Sequence, residues 1–151
     1  MSITDIFSTT RLKGVEEMDH LQMLRQINAT AKFNLWSGLE VIHAEEGMVE
    51  LVLHWKEELA QYSGFLHAAM IGGLIDTACG FAAATVAGPN VLASNFSVNC
   101  LRPAIGEKFI ARARVIKAGK KQIFTACDLF ALRDGAEKLV ANGQTNLTVA
   151  G

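Results

Sequence analysis

Proline is almost missing from this chain. Pro89 and Pro103 are its only two, and no stretch enriched in Ser, Gly or Pro marks a linker. No run of like charges and no low-complexity tract interrupts it, and no internal repeat is visible, so 151 residues are expected to form one domain. Cysteine is as sparse. Cys79, Cys100 and Cys127 are odd in number, their spacing matches no metal motif, and nothing reads as a secretory signal. Free thiols in a reducing cytoplasm are expected rather than a disulfide framework. Net charge is missing too: 14 basic residues against 15 acidic give -1. That balance offers no electrostatic footprint for nucleic acid. An anionic small ligand is not excluded, because it needs only a local patch.

What the chain has is hydrophobic residues, half of the total, and one long run of them. Phe65 to Ala87 reads FLHAAMIGGLIDTACGFAAATVA, where His67 and Asp76 are the only acidic or basic side chains. A helix apolar all round is a buried helix or a membrane span, and this run is long enough to span. Against a span, Asp76 at the centre would cost about 2.5–3.5 kcal/mol on insertion. The run also leans on Ala and Gly, and no basic cluster flanks it. A helix buried inside a folded domain, without a membrane partner, is expected.

The hydrophobic period around this run defines the rest. Val15 to Ala31 carries Met18, Leu21, Met23, Leu24 and Ile27 near a helical period. The opening Met1–Gly14 reads as a short helix or an arm. After Gly38 the period becomes two. Leu39–Glu45 is a candidate strand, Glu46-Gly47 a turn, and Met48–Trp55 alternates with Val49, Leu51, Leu53 and Trp55 on one face. Lys56–Gly64 is a polar loop. Gly88-Pro89-Asn90 ends the long helix. Val91–Leu101, Glu107–Lys117, Gln122–Leu132 and Glu137–Val149 then read as strands joined by short turns, hence antiparallel neighbours. Two strands, a helix and four strands make an α+β fold, with one antiparallel sheet curling around the helix. Gly72, Gly73, Gly80 and Ala83 would let strands approach it closely.

His67 and Asp76 are nine residues apart. On one helix that is about 13 Å of rise and opposite faces. Either His67 lies off the helix start or a second subunit supplies the partner. The first turn leaves backbone N–H groups unpaired at the positive end of the helix dipole. Those of Ala68 and Ala69 would suit an oxygen gaining negative charge. A carboxylate near such a site, without a metal motif, suggests attack on an activated acyl group. Asp76 could also be a structural carboxylate holding a backbone N–H, and His67 a helix-start residue bonded to a backbone carbonyl. Cys79 reads as an apolar filler, since no His is placed to activate it. His20, His43 and His54 share no ligand spacing.

The stretch QYSGFLHAAMIGGLIDTACGFAA resembles the signature of hotdog-fold thioesterases of the PaaI-like, 4HBT-related group. That signature runs Asn, Gly, His-Gly-Gly, then an acid nine residues after the His. The matching positions here are Gln61, Gly64, His67, Ala68, Ala69 and Asp76. LWSGLEVIHAEEGMVELVLHW is similar to the family's first hairpin, and NCLRPAIGEKFIARARVIKAGKKQ to its LRPA strand and the following turn. The resemblance covers Phe33 to Val149. It implies a hotdog domain over 33–151 preceded by a helical extension over 1–32, and a cytoplasmic homodimer, commonly a dimer of dimers. It also implies metal-independent hydrolysis of acyl-CoA, with coenzyme A entering only as part of the substrate. Asp76 would be nucleophile or general base, Ala68 N–H would polarise the carbonyl, and His67 would orient the site across the interface. Gln61 would stand where the family has Asn, with Gly64 and Ala69 beside it. The Ser or Thr of many relatives falls at Ala93, with Ser94 and Asn95 next. Lys117, Lys120 and Lys121 cluster at a turn, which reads either as a solvated turn or, for Lys120 and Lys121, as a contact to the phosphates of coenzyme A. The alternatives are a non-catalytic acyl-CoA-binding hotdog protein and a hydratase or dehydratase on the same fold.

Overall fold

The computed structural model describes residues 18–150. The opening Met1–Gly14 and the start of the expected Val15–Ala31 helix lie outside them. Asp19 caps the first helix, α1 (His20–Asn28). Its carboxylate accepts from the Gln22 amide at 2.8 Å, while the Gln22 side chain accepts back from the Asp19 amide. The helix ends earlier than its periodicity suggested, and a second helix follows, α2 (Lys32–Ser37), closed by Gly38 at φ 80°. Six residues are too few to show a helical period, so α2 left no signal in the sequence. Leu24 and Ile27 enter the core, and Arg25 and Asn28 donate to the Val41 and Leu39 carbonyls.

The main elements follow: β1 (Glu40–Glu45), β2 (Met48–His54), α3 (Ala68–Ala87), β3 (Val91–Cys100), β4 (Lys108–Ala118), β5 (Gln122–Arg133) and β6 (Ala136–Val149). The strand limits differ from the expected ones by one residue at most. The loop before α3 is less polar than it reads: Glu57–Leu59 forms a 3-10 turn and Leu59 is buried. All six strands form one antiparallel sheet in the order β1-β2-β4-β5-β6-β3.

That sheet curls around α3, which packs on β2, β3, β4, β5 and β6. Leu74, Ile75, Ala78, Cys79 and Ala82 meet Leu51, Leu53, Phe109, Ala111, Leu129 and Ala141 in one core. By length and composition α3 passes for a membrane span, yet 67% of its apolar window is buried inside the sheet, as befits a core helix. On the outer face, Arg112 bonds Glu50 at 2.6 Å and grips Glu137 through two contacts of 2.7 and 2.8 Å. Its guanidinium lies over the Phe130 ring.

The tightest approach is at Gly143 of β6. A Cβ there would stand 2.5 Å from the Ser97 carbonyl oxygen and 2.9 Å from Ile75 Cγ2. The missing side chain lets β6 pass between helix and edge strand. Gly143→Ala is expected to destabilise the protein by about 1–3 kcal/mol through overpacking. Urea unfolding measures this, and an unchanged midpoint would contradict the packing described.

Candidate active site

The chain reaches α3 through a fixed turn. Gly64 sits at φ 82°, a conformation that favours glycine. Its amide donates to the Gln61 carbonyl at 3.0 Å, and the Gln61 amide to the Phe65 carbonyl at 2.8 Å. The side-chain oxygen of Gln61 accepts from the Ser63 amide, and its NH2 group has no acceptor among the described residues. Leu66 N–H then donates to the Ala104 carbonyl at 3.1 Å and His67 N–H to the Leu59 carbonyl at 2.9 Å. Ala104, the last residue of the LRPA segment, thus fixes the entry to the helix.

His67 is the N-cap rather than part of the helix, with φ -63° and ψ 139°. Its Nδ1 accepts from the Ala69 amide at 2.9 Å, so Nε2 carries the proton of the neutral ring, and the residue is exposed. The partner is therefore an N–H, not the carbonyl of the structural alternative. The His67 carbonyl accepts from Met70 and Ile71. Ala69 N–H is spent on the His67 ring, whereas Ala68 N–H has no acceptor among the described residues. It lies at the positive end of a 20-residue helix. Asp134 is the only described non-glycine residue with positive φ, so Ala68 and Ala69 carry their methyl groups without backbone strain.

Asp76 lies midway along α3, half-buried. It has no hydrogen bond or ion pair among the described residues, and burial pushes its carboxyl above the ordinary range. It opens into a cleft of about 460 Å³ with Thr77 and Phe81 of α3, Ile27 and Asn34 of the N-terminal helices, and Leu92 and Ala93 of β3. Gln61 and Ala68 line a different cleft, about 340 Å³, with Cys100, Arg102 and Pro103. One chain does not bring Asp76 and Ala68 together. The N-terminal lining of the Asp76 cleft escaped the sequence reading, because nothing local links Ile27 or Asn34 to residue 76.

The remaining expected site residues scatter. Ser94 occupies a bulge in β3 and donates to the Asn146 carbonyl at 3.1 Å, with exposed Asn95 beside it. Lys120 and Lys121 are exposed in the β4–β5 turn, at the opposite end of the sheet from the Ala104 loop that holds the start of α3. Cys79 and Cys127 are buried. The neighbouring Cys79 thiol and burial together hold the Cys127 thiol above its usual range. Among the described residues no three His, Cys, Asp or Glu side chains group as metal ligands.

Fold and site together define a class. The 4HBT thioesterase superfamily profile matches residues 63–138. A thioesterase family protein from Silicibacter pomeroyi is 34% identical in sequence; the match covers 85% of this chain and 96% of that one, with a TM-score of 0.82. Zebra fish thioesterase superfamily member 2, at 23% identity, shares the fold with a TM-score of 0.77 over 89% of this chain and all of its own. A Sulfurisphaera tokodaii protein, provisionally named an esterase, is 29% identical over 106 residues, 70% of this chain and 77% of that protein. The chain belongs to the thioesterase superfamily and has its hotdog fold.

Burying an unpaired Asp76 affects stability in a definite direction. A carboxyl raised on folding leaves stability intact below the ordinary Asp value of about 3.9, and removes it as pH climbs from there to the folded value. Asp76→Asn is therefore expected to melt at a higher temperature than the parent at neutral pH, with the gain shrinking as pH falls toward about 4. Thermal melts across that range test it. A variant that melts lower at neutral pH would show that the carboxylate is paired.

Proposed function

We propose that the protein hydrolyses acyl-CoA thioesters without a metal, at two equivalent sites shared between two copies of the chain in the cytoplasm. The observation that carries this reading is a pair of unpartnered groups in separate clefts: the Ala68 N–H at a helix start and the half-buried Asp76 carboxylate. Each is half of an acyl-transfer site. The open side of β3 supports their union. This edge strand exposes Leu92 and Phe96, 67% and 52% accessible. An apolar edge of that length invites another strand. Antiparallel pairing of β3 with β3 of a second copy sets the start of one beside the end of the other. Leu92 and Ala93, at the start, line the Asp76 cleft, and Cys100, at the end, lines the Ala68 cleft. Such pairing brings the two halves together twice per dimer.

In this site the thioester oxygen accepts from Ala68 N–H, which stabilises the negative charge that develops as the carbonyl carbon becomes tetrahedral. Asp76 of the second copy either adds to that carbon or takes a proton from the water that adds. The C–S bond then breaks and the carrier leaves as its thiol. If Asp76 itself adds, water cleaves the resulting anhydride and restores the carboxylate. Gln61 lines the same cleft as Ala68, and Gln61 and His67 would orient the thioester. Thr77 and Phe81 bound the space beside Asp76 where the acyl group would lie.

Release of free thiol from a panel of acyl-CoAs tests the activity; saturable binding without thiol release would favour the non-catalytic alternative. Asp76→Ala is expected to lower kcat by about 10²–10⁴-fold. Ala68→Pro deletes the N–H at a position where proline suits a helix, after a residue already extended, and is expected to cost about 10²–10³-fold. Unfolding and remixing the two inactive variants should restore about a quarter of parent activity, because half the dimers are mixed and each mixed dimer has one intact site. No recovery, with mixed dimers demonstrated, would place both groups in the same chain.

A further inference from the structure

A third cleft, about 570 Å³, lies between the loop after β3 and the β5–β6 hairpin. Arg102, Pro103, Ile105, Arg133 and Lys138 line it, together with the carboxylates Asp134 and Glu137. Its construction begins with a bulge. Leu129 pairs with Ala141 and Phe130 with Leu139, which leaves Val140 as an extra residue in β6. The Val140 carbonyl accepts from both Leu101 N–H at 2.9 Å and Arg102 N–H at 3.3 Å, pinning the loop that carries Arg102. Across the hairpin, Lys138 lies opposite Ala131 and Ala136 opposite Arg133. Ala131 is buried, so strand alternation puts Lys138 and Arg133 on the inner face of the sheet.

The cations of this cleft have capacity to spare. Arg102 and Lys138 make no side-chain hydrogen bond or ion pair among the described residues. Arg133 reaches only its neighbour Asp134, at 3.9 Å, with both side chains mostly in solvent. The one other carboxylate, Glu137, is committed to Arg112 on the outer face, which holds it below the usual carboxyl range. Three cations therefore face a cleft whose nearby negative charge is largely spoken for. In a chain with formal charge -1, this is a local patch and not a general property of the surface.

Its position gives it a use. Arg102 and Pro103 also line the cleft that holds Ala68 and Gln61, so the two clefts meet at Arg102. A thioester seated on Ala68 N–H would run its thiol arm past Arg102 and bring any phosphate on that arm to Arg133 and Lys138. The geometry points to Arg102, Arg133 and Lys138 as the site for phosphate groups of the thiol carrier, an inference that rests on the proposed thioesterase reading. Arginine suits phosphate through its paired donors, and lysine as a point charge. Within one chain Lys120 and Lys121, the sequence-based expectation for this role, stand at the other end of the same sheet, near the start of β3.

The test compares three substrates with the same acyl group: acyl-CoA, acyl-phosphopantetheine with one phosphate, and acyl-pantetheine with none. In Arg133→Glu/Lys138→Glu, the ratio of kcat/KM for acyl-CoA to that for acyl-pantetheine is expected to fall at least about tenfold. If acyl-phosphopantetheine loses as much as acyl-CoA, one phosphate suffices and a carrier-protein source fits. If only acyl-CoA loses, the nucleotide phosphates of coenzyme A are the ones bound. Calorimetry with adenosine 3′,5′-bisphosphate at low salt should show binding to the parent protein and none to the variant. An unchanged substrate ratio, or equal bisphosphate binding by parent and variant, would overturn the assignment. Should the parent release no thiol from any substrate, the thioesterase reading fails, and the calorimetry still decides the cleft.

Discussion

A single helix that is apolar almost all round must be buried on nearly every side, and one sheet has to do it. This requirement shapes the molecule. A flat sheet covers one side of a helix, so the six strands curl, and bulges in β3, β5–β6 and β4 take up the curvature. Small residues on α3 and Gly143 on β6 allow the close approach. The order β1-β2-β4-β5-β6-β3 places the first strand after the helix at the far edge, where its outer side has no partner strand among the described residues. The same wrapping that buries the helix therefore leaves open an edge beside its one carboxylate.

The candidate site is made from what the wrapping leaves unsatisfied. Burial of α3 consumes its apolar residues but provides no partner for the Asp76 carboxylate, whose charge is disfavoured there. Capping by His67 consumes Ala69 N–H but not Ala68 N–H. Bulge formation at Val140 frees a carbonyl that the sheet does not use, and the loop bearing Arg102 is fastened to it. Each case pairs a structural necessity with a leftover polar group. Of these only the half-buried Asp76 carboxylate lowers stability by lacking a partner among the described residues; the Ala68 N–H is exposed and the Val140 carbonyl is paired with the loop.

Much of this was legible in the sequence because it is written in local periods. The strands alternate, the helix is an unbroken apolar run, and Gly88-Pro89 ends it, so the strand boundaries and the wrapped architecture follow from nearest-neighbour chemistry. The nine-residue spacing of His67 and Asp76 also sufficed to show that one helix cannot join them. What was not legible depends on contacts between distant residues. The short helix α2 has no room for a period. Ile27 and Asn34 line the Asp76 cleft only because α1 packs on β1 and α2 carries Phe33 to Gly73 of α3. Arg102, Arg133 and Lys138 gather from a loop and both arms of a hairpin, and no spacing in the chain announces it. Lys120 and Lys121 are neighbours in sequence and so could be picked out as a basic cluster, which Arg102, Arg133 and Lys138 could not.

The two alanines after His67 show how a departure from a family pattern can be weighed physically. Glycine at those positions would matter if the backbone needed a left-handed conformation, or if a methyl group blocked the approach to the N–H. The first condition is absent, since both residues have ordinary negative φ. Alanine is then the better helix former, by about 1 kcal/mol per residue over glycine in a helix interior, and it steadies the turn that aims Ala68 N–H. The second condition concerns only space, and Ala68 and Ala69 are both exposed. Their methyl groups flank the approach to the N–H without touching its direction. Alanine therefore keeps the N–H donor that the proposed site needs, and on that proposal its methyl group bears on the shape of the ligand admitted rather than on the donor itself.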